Sequence, residues 1–365
     1  MYDDVMHFSE GAPRTVLITA LLLGYGACGG WLAAMAQFPM PWMLGSLLTA
    51  GSLVLLIKPK GLETYSFPLR FRTMFIAMIG VMIGSQLEPS FIELASDLTL
   101  TISMLAVFVV MAHSGNALIF RRVGGYDRAT AFYAATPGGL MESILLGESS
   151  GADIKVLTAQ QFLRIIFVIT LLPLGLSLWL GHPVGSAAGL SLGGAPDTPL
   201  SLSELALIAA TGLAGLGIAA VTRLPAGHLT GPLLLAAALS VAGLLDVHVP
   251  YWMISAAQVV IGVSLGLRFN GMSARLLRNC AGLSLLSVLF MLTLGSTFAM
   301  VLHLATDLPF LHLFISYAPG GVTEMSVIAL SLAANPAFVS LHHVVRILMT
   351  VIELTTLSRL LGLRA

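Results

Sequence analysis

The chain has 365 residues, of which 57% are hydrophobic and only 9% charged, with a mean hydropathy of +0.95, whereas soluble domains carry roughly a quarter charged residues. That deficit excludes an ordinary soluble domain and places the chain in a bilayer. Seventeen Lys and Arg balance seventeen Asp and Glu, so net charge points to neither nucleic acid nor any other charged partner.

In chain order, the N-terminal MYDDVMHFSEGAPR lacks the basic region and small-residue cleavage site of a signal peptide, so the first apolar segment is expected to stay in the mature protein. Apolar segments are then predicted near 15–37, 41–57, 71–87, 98–120, 129–147 and 156–180. A second set follows near 203–222, 229–246, 251–267, 279–304, 309–333 and 337–358. Between them, 181–202 is rich in Gly, Pro and Ser and reads as a periplasmic linker joining a first membrane repeat, 15–180, to a second, 203–360. Cys28 and Cys280 each lie in or beside an apolar run, which argues against a disulfide framework or a thiolate metal site.

Internal duplication is the strongest signal. ATPGGLMES from Ala135 recurs as YAPGGVTEM from Tyr317, a constant offset of 182 that also pairs Gly80 with Gly262, Gly84 with Gly266 and Arg164 with Arg346. FPMPWMLGSLL from Phe38 matches LPAGHLTGPLL from Leu224 at an offset of 186. Loop charges then decide topology, because Lys and Arg in short loops stay cytoplasmic. If all twelve segments cross, Arg268, Arg275 and Arg278 fall opposite Lys58, Lys60, Arg70 and Arg72. If the fifth and eleventh enter and leave on one side, ten crossings remain, the second half is inverted, and every loop Lys and Arg lies on one face. The expected fold is an all-α polytopic membrane protein of two inverted repeats, each with five spanning helices and one re-entrant broken hairpin. Both termini are then cytoplasmic.

The break has a local cause, since Pro-Gly-Gly removes one amide donor and supplies two poor helix formers. Non-helical backbone at membrane depth survives only inside protein or beside a water-filled cavity, so the break marks a candidate site. Thr136 is placed as N-cap and Pro137 at the first helical position of a second half-helix. The free amides of Gly138, Gly139 and Leu140, met from the other face by those behind Pro319 at Gly320, Gly321 and Val322, suit an anionic group. The plain alternative is a kink, or a loop at the membrane edge.

Glu142 and Glu324 follow the breaks, and Arg164 and Arg346 carry the two positive charges that the topology leaves within the membrane. One carboxylate and one guanidinium per repeat is a natural pair, serving either structure or contact with ligand or coupling ion. The repeats diverge at Gln160 and Gln161 against His342 and His343. His342, one turn before Arg346, is a candidate proton carrier or a polar helix contact. Glu353 lies on the face of Arg346, a natural partner for it, with Leu171 as counterpart. No spaced metal-ligand cluster, phosphate-binding loop or nucleophile elbow occurs, so neither an enzyme, a metal nor a cofactor is expected.

These duplicated Pro-Gly-Gly-x-x-Glu segments, with the PWMLGSLL and HLTGPLL stretches, resemble the AbrB-duplication family of bacterial inner-membrane proteins. Some of its members are labelled regulators or ammonia monooxygenases, yet short sparse loops and scattered histidines support neither DNA binding nor copper chemistry. The architecture also resembles secondary carriers of the bile-acid and sodium–proton type, whose site lies where the breaks converge. The function so implied is alternating access, elevator motion included, for a small organic anion, with H+ or Na+ coupling through Glu142 or Glu324. The alternatives are a channel or a ligand-sensing membrane protein. The partners implied are lipid and a small solute, with nucleic acid excluded and a homo-oligomer allowed.

Overall fold

The computed structural model describes residues 12–62, 65–85, 95–181, 201–245, 247, 250–332 and 334–363; residues 182–200 of the expected linker lie outside them. Helices account for every apolar segment, and no strand occurs among the described residues. The first half holds α1 Ala12–Met35, α2 Pro41–Ser52, α3 Leu69–Ser85, α4 Ala95–Arg122, α5 Arg128–Ala134, α6 Leu140–Ser149 and α7 Ile154–Leu180. The second holds α8 Leu202–Thr222, α9 Gly227–Val241, α10 Tyr251–Gly266, α11 Ala274–Ala305, α12 Phe310–Tyr317, α13 Val322–Ser331 and α14 Pro336–Leu360.

Among the described residues seven helices are long and apolar enough to cross a bilayer: α1, α4, α7, α8, α11, α14 and α10 with the 3-10 turn that extends it to Phe269. The expected ten crossings also need α3 and the shorter α2 and α9; a π turn carries α2 on to Ile57.

The duplication reappears in the helix boundaries. Leu69, Arg128, Leu140 and Ile154 each start a helix, and so do Tyr251, Phe310, Val322 and Pro336, 182 positions on. Met40 and Ala226, which precede α2 and α9, both have left-handed backbone, with φ of 48° and 50°.

Packing exchanges partners between the halves: α3 lies along α9, and α2 along α10. Glycine permits both crossings, because small residues four apart let membrane helices touch backbone to backbone. A Cβ on Gly80 or Gly84 would lie 2.5 Å or 2.3 Å from the carbonyl oxygens of Leu229 and Leu233 on α9. One on Gly262 or Gly266 would lie 2.4 Å or 2.6 Å from those of Met43 and Leu47 on α2.

The fifth and eleventh segments are each broken in two, α5–α6 and α12–α13. In the first, the Asp153 amide donates to the Thr130 hydroxyl at 2.7 Å, and Tyr133 Oη meets Ser150 Oγ at 2.9 Å. The chain therefore leaves this hairpin beside where it entered. Tyr126, just before α5, donates to Cys280 Sγ at 3.7 Å near the start of α11. Phe310, the first residue of α12, packs on His303 near the end of α11, with ring centroids 6.5 Å apart. Cys280 and His303 are about 35 Å apart along that helix at 1.5 Å per residue. The two broken segments thus open at opposite ends of α11. Cys28 and Cys280 are both free, the first exposed and the second buried.

Candidate functional site

The first break begins where α5 runs out of helix formers. Asp127 caps the start of α5 by accepting from the Thr130 amide, and the helix runs seven residues, to Ala134, before Pro137-Gly138-Gly139 prevents its continuation. The second half-helix was expected to start at Pro137 with Thr136 as cap; it starts three residues later at Leu140, and its cap is Gly139 with φ 62°. Thr136 bridges the two half-helices instead of capping the second: its hydroxyl reaches Ser143 Oγ in α6 at 2.7 Å and the Tyr133 carbonyl in α5 at 3.4 Å. Only a glycine adopts the left-handed turn that follows without steric cost.

In the second break Gly321 caps α13, which starts at Val322. Gly320 does not offer the free amide expected of it, because it donates to the Ala318 carbonyl at 2.9 Å. The amides of Gly138, Gly139, Leu140, Gly321 and Val322 find no backbone acceptor among the described residues.

Arg164 and Arg346 are fully enclosed, but neither pairs with a glutamate as expected. Arg164 Nη1 donates to the Thr136 carbonyl, and Arg346 donates from Nη1 to the Ala318 carbonyl and from Nη2 to that of Gly320. The reason is the break itself. A helix ending in a low-dielectric interior leaves orphan carbonyls and a partial negative charge, and a rigid guanidinium fork answers both. Glu142 and Glu324 sit in the first turns of α6 and α13, at the positive ends. Glu324 Oε2 folds back to 2.0 Å from where a Cβ on Gly321 would stand, and Glu142 Oε2 to 3.4 Å from that of Gly139. Each charge pairs with a helix end, and neither carboxylate forms an ion pair among the described residues. Arg268 lies near enough to attract Glu324 electrostatically, while its guanidinium stacks 5.4 Å over the Phe162 ring.

Gln161 and His343, divergent in sequence, do one job. Gln161 Nε2 donates to the carbonyls of Tyr133 and Ala134 at 3.2 Å and to Thr136 Oγ1 at 2.8 Å. His343 Nε2 donates to the Ile315 carbonyl at 3.0 Å. His342 bonds Phe338 in its own helix through Nδ1 at 2.9 Å and packs on that ring. Gln160 turns away to Tyr126 Oη at 2.7 Å.

The two tips come together at Arg346. A Cβ on Gly138 would lie 3.5 Å from Arg346 Nε and 3.4 Å from Thr350 Oγ1, while the same guanidinium holds the Ala318 and Gly320 carbonyls of the other tip. The Nε–H groups of Arg164 and Arg346 are buried and find no acceptor among the described residues.

Glu353, expected beside Arg346, instead meets His113 of α4, with Nδ1 and Oε1 3.1 Å apart. His113 Nε2 also donates to the Phe132 carbonyl at 2.9 Å. One turn on, Asn116 accepts from Ser287 of α11 at 2.9 Å and donates to the Ala135 carbonyl at 3.4 Å. The sequence reading passed over His113, Asn116, Ser287 and Thr350. A histidine and an asparagine three apart inside a long apolar helix were the available signal, since such residues rarely face lipid.

Among the described residues, seven apolar helices of spanning length with a buried polar centre among them define a polytopic all-helical membrane protein. The chain belongs to the AbrB family: the family described as transition state regulatory protein AbrB matches residues 42–362. It is 23% identical to the protein YhjN of Bacillus subtilis (strain 168) over 361 residues, covering 93% of this chain and 92% of that one. It is 26% identical to the candidate regulator AbrB of Escherichia coli (strain K12) over 273 residues, covering 74% and 77%.

Proposed function

We propose that the chain is a secondary carrier of the bacterial inner membrane, with both termini cytoplasmic, that moves a small organic anion by alternating access. Its halves are inverted, its two hairpins enter from opposite membrane faces, and the anion binds between their tips. One observation carries this reading: where the tips meet, the buried guanidinium Nε–H of Arg346 has no acceptor among the described residues, and neither has that of Arg164 behind the first tip. A buried charged donor left unmade costs more than the roughly 1–3 kcal/mol of a neutral one, and an anionic oxygen relieves that cost. The free amides of Gly138 and Gly139 add donors on the same side. Glu142 and Glu324 already hold the positive helix ends, so the solute displaces them or arrives as they take up H+ or Na+. Elevator motion fits two hairpins that converge on one residue of α14.

The test is counterflow in proteoliposomes with a panel of labelled carboxylates and amino acids. Saturable exchange is expected, and Gly138→Ala, whose methyl fills the space beside Arg346 Nε with ordinary contacts, should abolish it while the unfolding temperature holds. Flux that never saturates, or wild-type rates in Gly138→Ala, contradicts the site. The name of the Escherichia coli relative favours a second reading, a sensor that binds the same anion without moving it; binding with no counterflow under any gradient would select it.

A further inference from the structure

The carrier reading leaves one buried ionisable group without a task. The Glu353 side chain on α14 is 7% exposed and that of His113 on α4 is 2% exposed, and neither carboxylate oxygen has a hydrogen bond among the described residues. The Phe132 carbonyl, 2.9 Å from His113 Nε2, can only accept, so Nε2 keeps its hydrogen and Nδ1 faces the carboxylate. We propose that His113 and Glu353 form a binding site for a single proton, and that its occupancy decides whether the first hairpin is tied to α4 and α14.

The proton count is closed. When loaded, the pair holds one proton between Nδ1 and Oε1, on either group, and is neutral as a whole. Releasing it to water leaves a net charge of −1 and two lone pairs facing each other at 3.1 Å. That arrangement is repulsive in a low-dielectric interior. His113 relieves it by exchanging its remaining hydrogen from Nε2 to Nδ1, which gives up Phe132, or the two side chains part. Either way a link between α14, α4 and the first hairpin opens on deprotonation and closes on protonation.

The surroundings leave this charge to the pair itself. From α5 the facing groups are the Phe132 ring, 4.6 Å from the imidazole, and its carbonyl. From α11 it is Ser287, through Asn116. Arg128 of α5, Arg275 and Arg278 of α11, and Arg121, Arg122 and Arg359 at the ends of α4 and α14 are exposed. α12 and α13 meet α14 at Ser340, His342 and Arg346, in its other half, through Tyr317, the Ala318 carbonyl and Ser326, with Glu324 in the first turn of α13. Arg70 and Arg72 stand in the first turn of α3. Arg346, two turns from Glu353, is committed to the second hairpin.

The pair has no counterpart in the other half. A feature needed to build either half would be expected twice in a duplicated chain, yet the 182-residue offset puts Gly295 opposite His113 and Leu171 opposite Glu353. At that mirror place a Cβ on Gly295 would sit 3.2 Å from the Tyr317 carbonyl oxygen, so backbone fills the space instead.

What the proton is coupled to rests on the carrier reading, but the site does not. Infrared pH-difference spectra of the full chain in nanodiscs should show a buried carboxyl or carboxylate band that changes with pH, with that band lost in Glu353→Gln and displaced in His113→Gln. Protection of the amides of 131–135 should fall as the band disappears in the wild type and become independent of pH in Glu353→Gln. Should Glu353→Gln not fold, 15N-histidine spectra of the wild type serve alone, with His113 Nδ1 expected to titrate. A carboxyl band that survives in Glu353→Gln, or His113 nitrogens unchanged from acid to alkaline pH, overturns the proposal. Loss of counterflow for every solute with the band intact would sink the carrier and leave the proton site standing.

Discussion

At the residue scale, the buried charges are arranged by helix ends. Hydropathy and spacing made Glu142, Arg164, Glu324 and Arg346 legible as interior residues, but their partners were not. A guanidinium of that length reaches either a carboxylate or a carbonyl, and what decides is the set of orphan carbonyls that each break creates. His113 was illegible for a different reason: its partner is on the last helix, and no local pattern joins them. Removing Arg346 strands the Gly320 carbonyl and takes one of two donors from that of Ala318, while removing Arg164 strands only that of Thr136, at about 1–3 kcal/mol for each buried group left unpaired. Arg346→Ala should therefore lower the unfolding temperature in detergent more than Arg164→Ala does. His343→Gln should be nearly neutral in stability and in exchange, because Gln161 performs the same contact on the other hairpin; a large loss of counterflow there would give His343 a proton-carrying role as well.

At the element scale, the breaks and nearly all helices were readable, because apolar runs, Pro-Gly-Gly and the repeat are one-dimensional signals. The start of α6 at Leu140 instead of Pro137 was not, since it depends on Thr136 being held by the Tyr133 carbonyl of α5, by Ser143 of α6 and by Gln161 and Arg164 of α7. Gly80, Gly84, Gly262 and Gly266, four apart in each pair, are a one-dimensional sign of close helix contact but do not name the partners. Those partners are reciprocal, α3 with α9 and α10 with α2, which follows when two equal halves exchange elements. Gly262→Leu would drive a side chain into the Met43 carbonyl and Ser46 Oγ, the latter 2.0 Å from the first added carbon. Overpacking of this kind costs about 1–3 kcal/mol or more, so a fall in unfolding temperature is expected. Gly24→Ala on α1, with nothing within 4 Å, should be neutral or slightly stabilising; equal effects in the two variants would contradict backbone contact at the crossing.

At the scale of the whole molecule, the account depends on two hairpins that open at opposite ends of α11 and meet at Arg346. The loop charges argue for inversion from the sequence alone, because only an odd number of crossings per half keeps every loop Lys and Arg on one face. The most direct measurement is two-sided thiol labelling in intact cells, in a Cys28→Ser background with Cys280 left buried. The probes are Ser149→Cys at the end of the first hairpin and Leu332→Cys at the end of the second. Ser149→Cys should react only after the membrane is opened and Leu332→Cys from outside without opening. Labelling of both from the same face would contradict the account.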